Sequence, residues 1–144
     1  MTAYERGLLD TTIVILRTWL SADALPGAVA ISAVTLAELS AGPQLVRGDD
    51  ADARRERSRR ALILQRVESE FEPLPFDAPA ARVYGQLCGA LSMTGRIPRR
   101  RVADLQIAAT AVVHGLPLFT TNAADFDGLD SWLDVVAVPR PATV

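Results

Sequence analysis

The chain has 144 residues, of which 49% are hydrophobic and 22% are charged, and its formal net charge is −2. This length and composition predict a single globular domain over residues 1–144, with a core of its own. They exclude a disordered chain and a polycation that holds nucleic acid by bulk attraction. All 15 basic residues are arginine. Without lysine, the chain can have neither a Walker A phosphate site nor a Schiff-base mechanism.

The sequence also bears on the compartment. No apolar run approaches the roughly 20 residues that a membrane-spanning helix needs. The first residues, Met1–Arg6, lack the apolar region and cleavage site of a signal peptide. The single cysteine, Cys88, cannot form an internal disulfide, which fits a reducing environment. We therefore expect a cytoplasmic protein without membrane association.

In the N-terminal half, short apolar runs alternate with segments of helical period. The predicted elements are a strand at Gly7–Asp10, a helix from about Thr12 to Ser21, a strand at Ala28–Ser32, a helix that stops at Gly42, and a charged helix over Asp50–Ser69.

The C-terminal half continues this alternation. The predicted elements are an extended segment at Phe71–Phe76, a helix capped by Asp77 and running to about Thr94, a basic loop at Ile97–Arg101, a buried helix at Val102–His114, a strand at Leu116–Thr120, a loop with one helical turn at Asn122–Leu129, and a strand at Leu133–Val138. Alternating strands and helices indicate an α/β sandwich with a mostly parallel sheet.

Four carboxylates stand at the edges of these apolar elements: Asp10, Glu38, Asp104 and Asp125. Isolated charges in apolar surroundings are costly unless they are paired or bind a metal. Asp10 ends the first predicted strand and Asp125 lies just beyond the strand at Leu116–Thr120, and ligands of parallel α/β folds bind at the carboxyl ends of strands. Mg²⁺ prefers oxygen ligands and takes one or two carboxylates directly. We predict one acidic pocket for divalent cations, with Asp10 and Asp104 as the direct metal ligands.

Each carboxylate taken alone has a structural alternative. Asp10 could cap a helix. Glu38 could answer Thr35 in a capping box or simply face solvent. Asp104 could complement a helix dipole, and Asp125 could be a turn residue. Their shared placement at the edges of apolar elements favours a site.

Four segments that contain these residues resemble the acidic motifs of PIN-domain ribonucleases, and most closely those of VapC toxins from bacterial type II toxin–antitoxin pairs. The segments are Leu8–Thr12, Ser32–Leu39, Val102–Ala111 and Thr120–Phe126. The resemblance implies a PIN-like three-layer α/β/α sandwich and an endoribonuclease that depends on Mg²⁺ or Mn²⁺. It maps the catalytic quartet onto Asp10, Glu38, Asp104 and Asp125.

The same resemblance implies supporting residues and partners. It places a hydroxyl at Thr12 and a loop asparagine at Asn122, and it favours Asp125 over Asp127 because Phe126 follows Asp125. The implied partners are an RNA substrate (transfer, ribosomal or messenger RNA), a cognate VapB-like antitoxin and a second copy in a homodimer. We expect the antitoxin's helical tail to bind a groove formed by the arginine-rich helix and the apolar residues Leu45, Val46, Leu62 and Ile63.

The arginines fall into two clusters. The first comprises Arg54, Arg55, Arg57, Arg59 and Arg60, and it is either a solvated helix face or an edge that meets RNA or an acidic partner. The second cluster comprises Arg99, Arg100 and Arg101 and precedes Asp104. It is either an exposed loop or a set of contacts to RNA phosphates. His114 is the only histidine and is expected at a helix end, outside the chemistry.

Two other functions compete with the nuclease. An aspartyl-phosphate phosphatase would use Asp10 as nucleophile, but such sites usually neutralise the phosphoryl group with a lysine, which this chain lacks. A catalytically silent PIN-like module that binds RNA or a partner would have lost one of the four acidic positions, and all four are present.

Overall fold

The computed structural model describes residues 4–92 and 101–142. Its helices and strands are β1 (Arg6–Leu9), α1 (Thr11–Leu16), β2 (Ala28–Ala30), α2 (Ala33–Gln44), α3 (Ala51–Glu70), α4 (Ala78–Ser92), α5 (Val102–His114), β3 (Leu118–Thr120) and β4 (Val135–Ala137). Short 3₁₀ turns lie at Arg17–Trp19, Ala22–Ala24 and Ala123–Phe126. None of the described helices is long and apolar enough to cross a membrane.

The four strands form one parallel sheet in the order β2-β1-β3-β4. The register pairs Leu9 of β1 with Phe119 of β3. The carboxyl ends of these two strands therefore lie side by side, so the residues that follow them meet at one edge of the sheet. The predicted parallel sheet is confirmed.

Both faces of the sheet are buried, because successive side chains of a strand point to opposite sides. Leu8 and Leu118 join one core, together with residues of α4 and α5 such as Leu87 and Ile107. Leu9 and Phe119 join a second core, which residues of α1, α2 and α3 complete: Ile13, Leu39 and Val67. Helices thus cover the sheet on both sides, which confirms the predicted three-layer sandwich.

The helix boundaries differ from the prediction in two places. The first helix ends as an α-helix at Leu16 and continues only as a 3₁₀ turn over Arg17–Trp19. The prediction that α2 stops at Gly42 is wrong, because the helix runs through Pro43 to Gln44. Arg60 of α3 donates from Nη1 to the Gly42 carbonyl at 2.9 Å, which gives this carbonyl of the last turn a donor from the neighbouring helix.

Gly7 is the place where the sheet needs a glycine. A Cβ atom there would lie 2.5 Å from Cε1 of the buried Phe119 ring and 2.9 Å from Cγ of Pro26. Real Cβ atoms do not approach other atoms so closely, and the ring is enclosed by the second core. Gly7 therefore lets β1 pack against Phe119.

We expect Gly7→Ala to lower the free energy of unfolding by about 1–3 kcal/mol, the usual cost of overpacking a core. Gly85→Ala is the matched control, because a Cβ at this α4 position meets nothing within 4 Å and alanine favours a helix. Urea unfolding of the two variants should give changes of opposite sign. Equal stability of Gly7→Ala and the parent would contradict the close packing of β1.

Candidate active site

Asp10 lies where β1 ends and α1 begins, and it is only 5% exposed. Its Oδ1 accepts the Thr11 backbone N–H at 2.8 Å, and its Oδ2 accepts the hydroxyl of buried Thr120 at 2.8 Å. Asp10 is therefore the N-cap of α1, as the structural alternative for this residue predicted. It also lies at the carboxyl edge of the sheet. Burial raises the pKa of Asp10, the two hydrogen bonds oppose that rise, and the negative charge of Asp125 adds to it.

Asp104 lies in the first turn of α5 and is half-buried. Burial, followed by the charges of Asp10, Asp125 and Glu38, raises the pKa of Asp104 to about 6, and the guanidinium of Arg101 opposes this rise. Repulsion of this kind requires neighbouring charges. The structure therefore brings the four predicted carboxylates to one place, although they come from four separate segments of the chain.

Glu38 lies in the middle of α2, and its side chain is exposed. Its Oε1 accepts the hydroxyl of Thr11 at 2.6 Å. The capping-box alternative is wrong, because Ser32 is the N-cap of α2 and its hydroxyl oxygen accepts the Thr35 backbone N–H at 3.0 Å. Glu38 therefore bends toward the start of α1 and not toward the start of its own helix.

Asp125 lies in the 3₁₀ turn that follows β3. Arg101 donates from Nη1 to the Asp125 carbonyl oxygen at 2.6 Å, and its Nη2 lies 3.2 Å from Oδ1 of the same residue. The charge of Asp125 acts on both Asp10 and Asp104, whereas Asp127 is exposed. This geometry favours Asp125 as the fourth carboxylate.

The hydroxyls that contact the carboxylates belong to residues that the sequence analysis missed. In the described part of the chain these are the hydroxyls of Thr11 and Thr120, not that of Thr12. Asn122 is exposed, and its backbone N–H donates to Thr120 Oγ1 at 3.0 Å. The one signal in the sequence was position, because Thr11 directly follows Asp10 and Thr120 ends the neighbouring strand.

The predicted basic site residues are only partly described. Arg99 and Arg100 lie outside the described residues. Arg101 is held on Asp125, so part of its hydrogen-bonding capacity is already used. His114 is the exposed last residue of α5, and it lines a cavity with Arg6 near the opposite end of the sheet. This position agrees with a role for His114 outside the chemistry.

The donor chemistry of the site fits a hard divalent cation. Within residues 4–92 and 101–142, no three His, Cys, Asp or Glu side chains are arranged to hold a metal ion among themselves. Mg²⁺ does not need such a cage, because it is usually held by one or two carboxylates and keeps several waters. Burial is the largest cause of the raised pKa of Asp104, and the charges of Asp10, Asp125 and Glu38 add to it against the opposing guanidinium of Arg101. The residues therefore fit an ion with few direct protein ligands.

The pKa of Asp104 makes stability depend on pH. Its folded value of about 6 lies above the ordinary value of 3.8, so the native state binds this proton more tightly than the unfolded state does. Without metal, stability should fall as the pH rises from about 4 to about 6, and Asp104→Asn should remove that part of the fall. At about pH 7.5 in EDTA the variant should be more stable by about 1 kcal/mol, allowing for solvent screening.

Urea unfolding of the parent and Asp104→Asn at both ends of this pH range measures the difference. Asp127→Asn is the control, because this exposed carboxylate does not act on Asp104. A parent and an Asp104→Asn variant with parallel pH profiles would contradict the crowding of the four carboxylates.

Comparison with known proteins shows the family to which this chain belongs. Residues 8–131 match the family model of the PIN domain. Ribonuclease VapC5 of Mycobacterium tuberculosis (strain ATCC 25618 / H37Rv) is 37% identical over 127 residues, which cover 86% of this chain and 87% of that protein. Toxin FitB of Neisseria gonorrhoeae (strain ATCC 700825 / FA 1090) is 31% identical over 108 residues, covering 71% of this chain and 70% of that protein.

Solved structures agree. A crystal structure of VapBC-5 from Mycobacterium tuberculosis, a member of the VapBC family of toxin–antitoxin systems, superposes with a TM-score of 0.75 at 34% identity and covers 94% of this chain and 99% of that chain. The crystal structure of FitAcB from Neisseria gonorrhoeae gives a TM-score of 0.63 at 28% identity and covers 95% of this chain and 99% of that chain. The resemblance seen in the sequence is thereby confirmed, and the chain belongs to the PIN-domain family and, within it, to the VapC group.

Proposed function

We propose that this protein is the toxin of a type II toxin–antitoxin pair and that it hydrolyses RNA phosphodiester bonds as an endoribonuclease. The observation that carries the proposal is the convergence of Asp10, Glu38, Asp104 and Asp125 at one edge of the sheet, where burial and then the charges of the other three raise the pKa of Asp104. Carboxylates that repel one another lower the stability of the fold. Such clusters, with perturbed pKa values, are typical of catalytic sites. The relatives named above as ribonucleases and toxins support the same activity.

The proposed cofactor is Mg²⁺ or Mn²⁺, with Asp10 and Asp104 as its direct ligands. When bound, the ion would supply Lewis acidity for the attacking water and the phosphate. Both oxygens of Asp10 accept hydrogen bonds that fix its orientation, and each oxygen keeps a free lone pair. Glu38 is the most exposed of the four and is placed to orient the attacking water and accept its proton. Histidine takes no part, because His114 is distant.

The basic residues before α5 are proposed to bind RNA phosphates: Arg99, Arg100 and Arg101. Phosphates beside an acidic site are repelled by its carboxylates, and arginine offsets that repulsion. Arg101 has a second role, because it holds the turn that carries Asp125. Thr12 and Asn122 remain proposed supporting residues on the strength of the family resemblance.

We expect the purified protein to cleave RNA only with Mg²⁺ or Mn²⁺ and to leave 5′-phosphate and 3′-hydroxyl ends, because water is the nucleophile. Asp10→Asn and Asp125→Asn should each lower the cleavage rate by about 100-fold or more. Asparagine at position 10 keeps the helix cap, so circular dichroism should show an intact fold. Mapping of RNA 5′ ends after brief induction measures both the chemistry and the target.

Asp127→Asn is the matched control for Asp125→Asn, because it changes a carboxylate two positions away that faces solvent. It should cleave at the parent's rate. Full activity in EDTA, or 2′,3′-cyclic phosphate ends, would exclude the proposed reaction. Loss of activity in Asp127→Asn alone would move the fourth carboxylate to that position.

A groove between α1, α2 and α3 supports the antitoxin part of the proposal. Two adjoining cavities of about 420 and 330 Å³ share Ile15, Arg59 and Ile63. Their walls carry apolar side chains that are unusually exposed for their size: Trp19 at 51%, Leu62 at 47% and Leu45 at 69%. We call this surface the α1–α3 groove. An exposed apolar surface of this kind marks a partner site.

The α1–α3 groove differs from the predicted one in two details. Val46 does not line the cavities; its carbonyl accepts from Arg57 Nη2 at 3.3 Å. The arginines of α3 also divide: Arg57 binds the backbone carbonyl of Gly48 and lines neither cavity, whereas Arg59 and Arg66 line the groove. Arg60 does both, because it binds the Gly42 carbonyl and lines the second cavity. The charged lining has four arginines and two glutamates, Glu38 and Glu70, and this apolar floor with mostly basic walls suits an amphipathic segment that carries acidic residues. VapBC-5 is a toxin–antitoxin system, and we propose a VapB-like antitoxin as the partner here.

We expect Leu62→Asp to weaken binding of the cognate antitoxin by at least tenfold, since it places a charge on the apolar floor. The control is Ala61→Asp, because Ala61 is exposed and does not line the groove. Calorimetry with the product of the adjacent gene measures both affinities, and light scattering of the free protein tests the proposed homodimer. Equal affinities of the two variants would place the antitoxin elsewhere.

A further inference from the structure

We propose that Thr11 and Thr35 are positioning residues for Glu38, joined in a chain of hydrogen bonds that begins at the N-cap of α2. The inference deepens the proposed function and rests on it in one respect, because it treats Glu38 as a member of the metal site. The chain itself follows from four contacts among neutral hydroxyls, one backbone N–H and one carboxylate.

The four contacts form a continuous path. The Thr35 backbone N–H donates to Ser32 Oγ at 3.0 Å, and Ser32 Oγ lies 3.4 Å from Thr35 Oγ1. Thr35 Oγ1 lies 2.9 Å from Thr11 Oγ1, which lies 2.6 Å from Glu38 Oε1. The path therefore starts and ends on α2, and it crosses to α1 at a single residue, Thr11.

The direction of the hydrogen bonds is fixed by Glu38. An ionised carboxylate can only accept, so Thr11 must give its one hydroxyl hydrogen to Glu38. Thr35 must then donate to Thr11, and Ser32 to Thr35. Every hydroxyl in the chain donates once and accepts once, and hydrogen bonds that point the same way along a chain strengthen one another.

The hydrogen bonds satisfy buried hydroxyls at one end of the chain and hold an exposed side chain at the other. Ser32 and Thr35 are 0% exposed, and a buried hydroxyl without a partner is costly. Glu38 is exposed, so its long side chain would otherwise sample many rotamers. The chain of hydrogen bonds therefore links the most exposed of the four site carboxylates to hydroxyls that are fully buried.

Thr11 also touches a second carboxylate. Its backbone N–H binds Asp10 Oδ1 at 2.8 Å while its hydroxyl binds Glu38. One residue thereby sets the separation between the carboxylate at the end of β1 and the carboxylate of α2. Thr12, the neighbouring threonine, makes neither contact.

Two measurements on the full-length protein test the proposal. The first is the order of the Glu38 side chain in the metal-free protein, from NMR relaxation of its methylene carbons. The second is the affinity for Mn²⁺ without RNA, from calorimetry. The variants are Thr11→Val and Thr35→Val, which remove a hydroxyl at nearly constant shape, and Thr11→Ser, which restores it. Thr110→Val is the control, because Thr110 is as buried as Thr35 but donates to the Gln106 carbonyl of its own helix, α5.

Thr11→Val should disorder Glu38 and lower the Mn²⁺ affinity by about three- to tenfold, the net effect of one ordinary hydrogen bond. Thr35→Val should act in the same direction more weakly, since it removes only the support of Thr11. Thr11→Ser and Thr110→Val should match the parent in both measurements. In a Glu38→Gln background, Thr11→Val should cause no further loss of Mn²⁺ affinity.

An equally ordered Glu38 in Thr11→Val and the parent would overturn the proposal, and so would a full additional loss of affinity in the Glu38→Gln background. The NMR measurement is independent of the proposed function. If Glu38→Gln alone changes neither Mn²⁺ affinity nor RNA cleavage, the role of Glu38 in the nuclease site fails, and the order of Glu38 in Thr11→Val still decides whether Thr11 positions it.

Discussion

The structure depends on holding like charges together at the carboxyl edge of a parallel sheet. Asp10 is nearly buried and Asp104 is half-buried, and burial together with repulsion from the other carboxylates raises the pKa of Asp104 to about 6. The free energy for this crowding comes from the two apolar cores on either side of the sheet, where Leu8 and Leu9 are fully buried on opposite faces. The apolar cores hold the strands and helices in place, and these elements hold the four carboxylates close together.

The groups that orient the carboxylates are mostly neutral. Thr120 and Thr11 bind Asp10, and Thr11 also binds Glu38, all without a positive charge. A neutral donor orients a carboxylate but leaves its charge in place to attract a cation, whereas an ion pair would cancel that charge. Arg101 is the exception among the described residues of the site, and it lies on Asp125 at the edge of the quartet.

The fold could be predicted because the apolar period of each segment is strong, and the four carboxylates stood out because apolar residues flank them. The predictions that were wrong or missing concern residues whose role depends on contacts with distant parts of the chain. A glycine ends a helix where its backbone turns left-handed or where the last carbonyls lack hydrogen-bond partners. Here Arg60 of α3 donates to the Gly42 carbonyl, and the helix continues past Gly42. Thr120 gave no signal beyond its position at the end of a strand, because a threonine in a strand is ordinary. The contact of Thr11 with Glu38 joins residues 27 positions apart and has no sequence pattern.

The arginine-rich helix shows the same limit and connects the site to the groove. As a sequence it is one basic cluster, but in the structure Arg59 and Arg60 hydrogen-bond to Glu56 and hold the pKa of that carboxyl at about 2. Arg59 also lines both cavities of the α1–α3 groove, and the second cavity reaches Thr11 and Glu38. A segment that fills the α1–α3 groove therefore also covers one side of the acidic site. Because both surfaces share Thr11 and Glu38, we expect a partner bound in the proposed groove to compete with RNA for access to these residues.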